Sequence, residues 1–332
     1  MKLAWQIVKF QLKETFAIAY GSYSYREALL ITLESHGHKG YGECTAIDYY
    51  QINLQEFTIQ LAQVAAVIEH QAIVPPVLFY DFLITLDLPP FLRSALDCAY
   101  WDLFGKLEKR SFMELNSISF FTLPNSSITI SIAPVAEQIK KIEQSAWSSF
   151  KVKCHQFDIN AIQELLHIPY TIALDSNGSF NESDCMQLQE IEKVTKFQYL
   201  EQPMKKGKES YSHLNPKGYA NWMADEDCQN SSNLSELVSH YNSINIKLVK
   251  CGGLTPALDM IAKARQYGFK VMIGCMTESS IGISAGAVLA PLCDYADLDG
   301  ANLIQNDIAI GSQIEHGRIQ LSEKPGLGIK IR

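Results

Sequence analysis

Five charged residues close five successive apolar segments at a nearly constant interval, and that interval limits the fold more than any other feature of the chain. Lys153, Asp175, Glu201, Asp225 and Lys247 are spaced by 22, 26, 24 and 22 residues. A period of this size fits one strand, one helix and two short loops. From Ile128 to about Gly300 the pattern predicts strands at Ile128–Ile132, Phe150–Cys154, Thr171–Asp175, Gln198–Glu201, Trp222–Asp225, Ser243–Leu248, Lys270–Cys275 and Tyr295–Leu298. Helices fall between them, among them Asn181–Val194, Leu254–Tyr267 and Ile281–Leu292. Strands alternating with helices in this way predict an α/β fold with a parallel TIM-type barrel. An open doubly wound sheet competes, but it usually carries a Gly-x-Gly-x-x-Gly turn after its first strand, and the chain has none.

The segment before residue 121 reads differently. Ala4–Leu12, Ala28–Glu34 and Lys39–Cys44 predict an antiparallel sheet, with Gly37 and Gly40 suited to a hairpin, and Leu54–Glu69 and Phe91–Leu107 predict helices. The turn-rich Pro124-Asn125-Ser126-Ser127 marks the break. The apolar stretch Ile73–Leu92 holds Asp81 and Asp87 and four prolines, which excludes a membrane helix, and the amino terminus lacks the pattern of a secretory leader. With 36 acidic against 28 basic residues the net charge is −8, which disfavours nucleic-acid or membrane partners held by bulk electrostatics. The 8 cysteines include no Cys-x-x-Cys pair, so free thiols in a reducing cytoplasm are expected.

In a barrel the active site forms at the carboxyl ends of the strands. Asp175, Glu201 and Asp225 close three consecutive strands and would converge on one point. Three carboxylates without His or Cys suit Mg²⁺, a hard cation that prefers oxygen. Each alone could equally be a helix N-cap; in successive repeats a metal site is the better account. Lys151 and Lys153, two apart on one strand, point the same way, into the barrel. Two inward ammonium groups repel each other and a nearby Mg²⁺ repels both, so the lysine pKa is expected to fall toward what a general base needs. Lys247 ends a strand on the far side of the carboxylates, so the lysines could remove a proton from one face of a substrate carbon and return it to the other. Lys250 fits the usual exposed lysine and is given no role. Asp297 and Asp299, also two apart, could hold a cation such as an α-ammonium group, or serve as a loop cap and turn.

These residues resemble the enolase superfamily in its muconate-lactonising subgroup, and more narrowly the dipeptide epimerases. The resemblance lies in Phe150-Lys151-Val152-Lys153, Leu174-Asp175-Ser176-Asn177, Leu200-Glu201-Gln202-Pro203, Ala224-Asp225-Glu226 and Asn245-Ile246-Lys247-Leu248-Val249-Lys250-Cys251-Gly252-Gly253. Phe16-Ala17-Ile18-Ala19, Gly42-Glu43-Cys44, Ala95–Leu103, Gly274-Cys275-Met276 and Asp297-Leu298-Asp299-Gly300 support it. The resemblance implies a modified (β/α)₇β barrel over residues 121–300, an α+β capping domain over 1–120, and a tail, 301–332, that packs back on the cap. It implies Mg²⁺ on Asp175, Glu201 and Asp225, binding the substrate carboxylate and stabilising the enediolate left by α-proton removal. It makes Lys153 and Lys247 the acid/base pair, Lys151 an electrostatic helper, and Asp297 and Asp299 the holders of a dipeptide's ammonium group. Thr129 and Met276 would line the pocket.

The specificity residues depart from the pattern for Ala-Glu. Members acting on that dipeptide resemble one another in an arginine two residues after the glycine of the Gly-Ser loop, where this chain has Tyr23 in Tyr20-Gly21-Ser22-Tyr23-Ser24-Tyr25-Arg26. A tyrosine-rich loop, with Tyr49 and Tyr50 in a second loop at Thr45–Gln51, favours a neutral or hydrophobic second residue. Arg26 lies close enough in sequence to keep L-Ala-D/L-Glu epimerisation open. The expected activity is Mg²⁺-dependent inversion at the second residue of an Ala-X dipeptide. A muconate cycloisomerase or o-succinylbenzoate synthase would use the same lysines but leave Asp297 and Asp299 without a purpose. A non-catalytic binding protein would show gaps in the set, and there are none. Self-association into a homo-oligomer is left open.

Overall fold

The computed structural model describes residues 1–18 and 21–332. Ala19 and Tyr20, both within the motifs quoted above, lie outside the described residues. Strands β1 (Lys2–Ile18), β2 (Gly21–Ser35) and β3 (His38–Thr45) form the antiparallel sheet, longer at both ends than the apolar runs that predict it. Helix α1 (Leu54–Glu69) starts at Asn53, whose side chain accepts from the backbone N–H groups of Gln55 and Glu56. Helix α2 (Pro76–Ile84) is absent from the sequence reading, which took the prolines of Ile73–Leu92 as breaks. They are starts instead: Pro76 opens α2 and Pro90 opens α3 (Pro90–Glu108), in the first turn where a missing N–H costs nothing.

Sheet and helix meet where β3 crosses α3, and two glycines set the distance. A Cβ on Gly42 would lie 1.9 Å from the Ala95 carbonyl oxygen, and one on Gly40 2.1 Å from that of Ala99. The core there is built from Leu29, Ile31 and Leu33 against Phe79, Leu96 and Tyr100.

Eight parallel strands follow: β4 (Ile128–Ile130), β5 (Ser149–Lys153), β6 (Thr171–Asp175), β7 (Leu200–Glu201), β8 (Trp222–Ala224), β9 (Ser243–Lys247), β10 (Lys270–Gly274) and β11 (Tyr295–Asp297). Each pairs with its sequence neighbour, and a bridge between Ser126 and Ala296 joins the two ends into a barrel. Several strands stop a residue or more before their predicted ends, so that Asp225, Cys275 and Leu298 begin the loops over the barrel mouth. The helix predicted over Asn181–Val194 is Glu182–Gln189, with Asn181 as its N-cap and a separate 3₁₀ turn at Glu192–Lys196. That predicted over Ile281–Leu292 is Ser280–Ala287, followed by a 3₁₀ turn at Ala290–Leu292 whose Pro291 cannot donate.

Alternation along the strands sorts the barrel residues. Phe150, Val152, Ile172, Leu174, Ile244 and Ile246 face the surrounding helices in the main core. Ala173, Tyr199, Met223 and Met272 form a separate plug inside the barrel. Two carboxylates from the first part of the chain cap barrel helices. Glu43 on β3 accepts from the N–H groups of Ser279 (3.0 Å) and Gly282 (3.3 Å), and Asp97 on α3 accepts from Thr255 N (2.9 Å) and Oγ1 (2.8 Å). Burial raises Glu43 to about 6 and Asp97 to about 7. Near the carboxyl end, Leu327 N donates to Asp102 Oδ1 on α3 (2.9 Å). Among the described residues all 8 cysteines are free thiols, and no helix is long and apolar enough to cross a membrane.

The close crossing gives a direct test. Gly42→Ala should lower unfolding stability by about 1–3 kcal/mol through overpacking against α3, read from denaturant midpoints; an unchanged midpoint would show that the crossing is looser than this geometry.

Candidate active site

The strand register gathers the charged residues at the barrel mouth in two aligned groups, with Asp225 between them two residues beyond Met223, the register partner of Glu201. Lys153 pairs with Asp175 and Asp175 with Glu201, while Lys247 and Asp297 flank Gly274. Going round the ring, the order is Lys153, Asp175, Glu201, Asp225, Lys247, then the β10 end, Asp297, and Thr129 on β4. With eight strands in the ring, β5 and β9 stand on opposite sides, so Lys153 and Lys247 face each other across the arc of three carboxylates. The parity that sends Tyr199 and Met223 into the plug sends Glu201 and Asp225 into this layer, one pleat higher.

These charges are buried, and ion pairs hold them. Lys153 Nζ donates to Asp175 Oδ2 (2.5 Å) and Asn177 Oδ1 (3.1 Å). Lys247 Nζ donates to Asp225 Oδ2 (2.8 Å). Lys151 reaches Asp297 Oδ2 and lies 3.3 Å from Glu201 Oε2 and 3.8 Å from Asp175 Oδ2. The expected fall in lysine pKa is not what this surrounding produces. Burial alone pulls Lys151 down, but Asp297, Glu201 and Asp175 outweigh it and hold it well above the ordinary lysine value. Lys247 is raised in the same way, against its burial, by Asp225 and then Glu201. The repulsion between the ammonium groups is outweighed by the carboxylate that each one faces.

Among the carboxylates, burial opposes ionisation of Asp225, yet Lys247 and Lys250 keep it far below the usual range. Burial raises Glu201 to about 7, with Lys151 pulling the other way. Glu226, which the sequence reading quoted without a role, lines the same cavity; burial and then Asp225 and Asp175 raise it to about 8. Asp297 is lowered by Lys151 against its burial, and its Oδ1 accepts from Ser127 Oγ (2.7 Å). Asp299 is raised to about 6 by burial and then by Asp297, and it accepts from Thr129 N (2.7 Å). Its side chain does not cap the 3₁₀ turn that follows, which removes the cap reading.

Each carboxylate of the arc also has one oxygen tied back to the protein. Asn177 N donates to Asp175 Oδ1 (2.9 Å), Asn245 Nδ2 to Glu201 Oε1 (2.6 Å) and Lys250 Nζ to Asp225 Oδ1 (2.5 Å). Lys250 is therefore no surface lysine: only 1% of its side chain is exposed. Apolar neighbours and a three-residue step from Lys247 carry no sign of this partner, so the sequence argument had no means of finding it.

The cavity above the ring is lined by Lys151, Lys153, Lys247, Asp225, Asp297 and Asp299, by Thr129 and Met276, and by Phe16, Arg26, Ile47, Tyr49, Tyr50 and Leu303. Tyr23 is not among them. It stands behind Arg26, whose guanidinium carbon lies 3.5 Å from the centre of the Tyr23 ring. Burial lowers the Arg26 pKa, and among the described residues its Nε has no hydrogen-bond partner. A larger recess of about 750 Å³ opens at the other end of the barrel beside Gln198, Asn221, Tyr267 and Lys270, and none of the strand-end acids reaches it.

The arc suits a hard divalent cation in kind: three buried carboxylates and no imidazole or thiol, with Glu201 Oε2 making no hydrogen bond. As the side chains stand, among the described residues no three metal-binding groups are drawn tightly enough together to hold an ion. The reason is on view, since Glu201 Oε2, Asp175 Oδ2 and Asp225 Oδ2 are engaged by Lys151, Lys153 and Lys247.

Comparison with known proteins gives the family and the fold. Residues 134–332 match the family described as Enolase C-terminal domain-like. The whole chain is 36% identical to a Maribacter sp. protein called L-Ala-D/L-amino acid epimerase, covering 99% of that protein. It is 32% identical over its full length to one of the same name from Flavobacterium johnsoniae, covering 100% of it. Among solved structures it superposes with a TM-score of 0.89 and 26% identity on the dipeptide epimerase of Methylococcus capsulatus complexed with Mg and the dipeptide L-Arg-D-Lys, with 99% of each chain covered.

Removing the ammonium at the centre of the network should be felt at once. Lys151→Met leaves Asp297, Glu201 and Asp175 buried beside one another, and is expected to cost about 3–5 kcal/mol. The melting temperature should recover in part with added Mg²⁺. Equal melting temperatures for variant and wild type would show that Lys151 does not hold these carboxylates together.

Proposed function

The chain belongs to the dipeptide epimerase family of the enolase superfamily, and from that premise we propose that it inverts the second residue of Ala-X dipeptides in which X is neutral or hydrophobic. The observation that carries the reading is the placement of Lys153 and Lys247 on opposite strands of the ring, with the carboxylate arc between them. A substrate α-carbon over the arc presents one face to each lysine. Once a cation takes over the carboxylates that now hold Lys153 and Lys247, the lysine left as a neutral amine on one side would take the α-proton and become an ammonium, and the ammonium on the other side would give its proton to the opposite face. The same two groups serve the reverse direction with their protonation exchanged.

Asp175, Glu201 and Asp225 would hold Mg²⁺, whose charge stabilises the negative charge that develops on the substrate carboxylate. Lys151 balances the charge of Asp297 and Glu201 from below. Asp299 and Asp297 offer carboxylate oxygens to the ammonium end of the dipeptide, beside Thr129. In this reading residues 1–120 and the tail 301–332 form a cap that supplies specificity to the barrel of 121–300, and the free thiols support a cytoplasmic site of action.

Phe16, Ile47, Tyr49, Tyr50 and Leu303 support an apolar X. Arg26 favours the second reading, an acidic X such as Glu, because it lines the same cavity with an unpartnered Nε. The two separate cleanly in competition. Ala-Leu or Ala-Phe should exceed Ala-Glu in kcat/KM by about tenfold, and Arg26→Gln should leave that order unchanged. A preference for Ala-Glu that Arg26→Gln abolishes would put the acidic reading in its place.

Isotope exchange tests the two-lysine chemistry. In D₂O with Mg²⁺, Lys153→Ala and Lys247→Ala should each lose epimerisation by about 100-fold or more. Each should still exchange the α-proton of one configuration only, and the configuration should differ between the two. Retention of full epimerisation in either variant would remove that lysine from the reaction.

A further inference from the structure

The three carboxylates of the arc come from different strands, yet they share one feature that metal binding as such does not require. On every one, one oxygen is held by a donor outside the set Lys151, Lys153 and Lys247, and the other meets one of those three lysines. The donors are chemically unrelated: a backbone N–H at Asn177, a side-chain amide at Asn245 and an ammonium at Lys250. The remaining oxygens, Asp175 Oδ2, Glu201 Oε2 and Asp225 Oδ2, are those met by Lys153, Lys151 and Lys247, with Asn177 Nδ2 a further, longer contact to Asp175 Oδ2 (3.5 Å).

The hold on Asp225 is the firmest. Lys250 Nζ donates to Asp225 Oδ1 (2.5 Å), to the Asp225 carbonyl (2.6 Å) and to the Asn245 carbonyl (3.2 Å). An ammonium has three N–H groups, so all are used. Burying it is tolerable only because of those partners. Lys247, by contrast, makes one bond to Asp225 and is 11% exposed. One cation on Asp225 is thus fixed and the other can leave.

We propose that Lys250, with Asn245 and the Asn177 N–H, are positioning groups that restrict Asp225, Glu201 and Asp175 to one oxygen each toward a bound ion, and so select Mg²⁺ against Ca²⁺. Mg²⁺ takes a compact octahedron, which single-oxygen carboxylates and water can build, whereas Ca²⁺ gains from carboxylates that turn to offer both oxygens. Tying back the second oxygen removes that gain. The inference rests on the reading of these three residues as metal ligands and adds what sets their choice of ion.

The test is calorimetric titration of the full chain with Mg²⁺ and with Ca²⁺, without substrate, for wild type, Lys250→Met, Asn245→Leu and Asp225→Asn. Both ions carry the same charge, so the Coulomb effect of deleting an ammonium cancels in the ratio of their dissociation constants, and geometry remains. The ratio of the Ca²⁺ to the Mg²⁺ constant should fall about tenfold in Lys250→Met and in Asn245→Leu. A purely structural role would lower the melting temperature and leave the ratio alone, so a wild-type ratio in either folded variant overturns the proposal. If Lys250→Met does not fold, Asn245→Leu decides, since it removes no charge. Asp225→Asn separates the two levels of the argument. If it binds both ions as tightly as wild type, the ligand reading itself falls; if it weakens both while the other variants keep the wild-type ratio, only the selectivity falls.

Discussion

Burial of charge inside the barrel is the constraint on which the rest of the molecule turns. Lys151, Lys153, Lys247 and Lys250 share a nearly dry layer with Asp175, Glu201, Asp225, Asp297 and Asp299. An isolated ion in such a place would be prohibitive, and a single buried pair contributes little net stability. A ring in which every ammonium has a carboxylate in contact is a different matter, because removing any member leaves its partners exposed to one another. The apolar plug of Ala173, Tyr199, Met223 and Met272 keeps water from entering below, and the helices outside pack on the alternate residues of the same strands. The stability of the barrel therefore comes mostly from one parity of each strand, and the other parity is released for chemistry.

That division explains why the first part of the chain must be fastened to the barrel. The ring alone leaves one side of the cavity open, and Phe16, Arg26, Ile47, Tyr49 and Tyr50 close it. All five lie in or beside the long hairpin and the loop after β3. Glu43, one residue before Cys44 on β3, and Asp97 in α3 anchor these elements by capping the first turns of two barrel helices. A shift of the cap would thus move the specificity wall and break two buried helix caps together. Under the proposed function substrate choice and reaction chemistry would be carried by separate parts of the chain, which these buried carboxylates join.

Much of this was legible in the primary structure because the strand period of two and the repeat near 24 residues are strict geometric demands. They put Lys153, Asp175, Glu201, Asp225 and Lys247 at equivalent strand ends, and the register of β5, β6 and β7 has the first three side by side. What was hidden depends on contacts between repeats. Lys250 follows Lys247 by one helical turn, and nothing in that step says that its ammonium bends back to Asp225. The rise in pKa at Lys151 has the same origin, since a strand pattern shows which way a lysine points and not how many carboxylates meet it. The prolines at 76 and 90 misled for a local reason: proline stops a helix from within but starts one at its first turn.

The ring also bears on why one constellation can serve either inversion or elimination. Paired lysines and a carboxylate arc act on any carbon acid whose carboxylate lies over the arc, so they do not choose between the two outcomes. The choice falls to the sector between β10 and β4, opposite the arc. There Asp297 is already shared between Ser127 and Lys151, whereas Asp299 is met by Thr129, whose N–H donates to it. An incoming ammonium group can approach Asp299 without displacing an internal cation, and it would compete with Lys151 for Asp297. A substrate lacking that ammonium would leave Asp299 buried and uncompensated beside Asp297, whose charge already raises it. The cost of that arrangement favours a cationic end on the substrate, and under the proposed function it is this sector, rather than the lysines, that would tilt the barrel toward dipeptides.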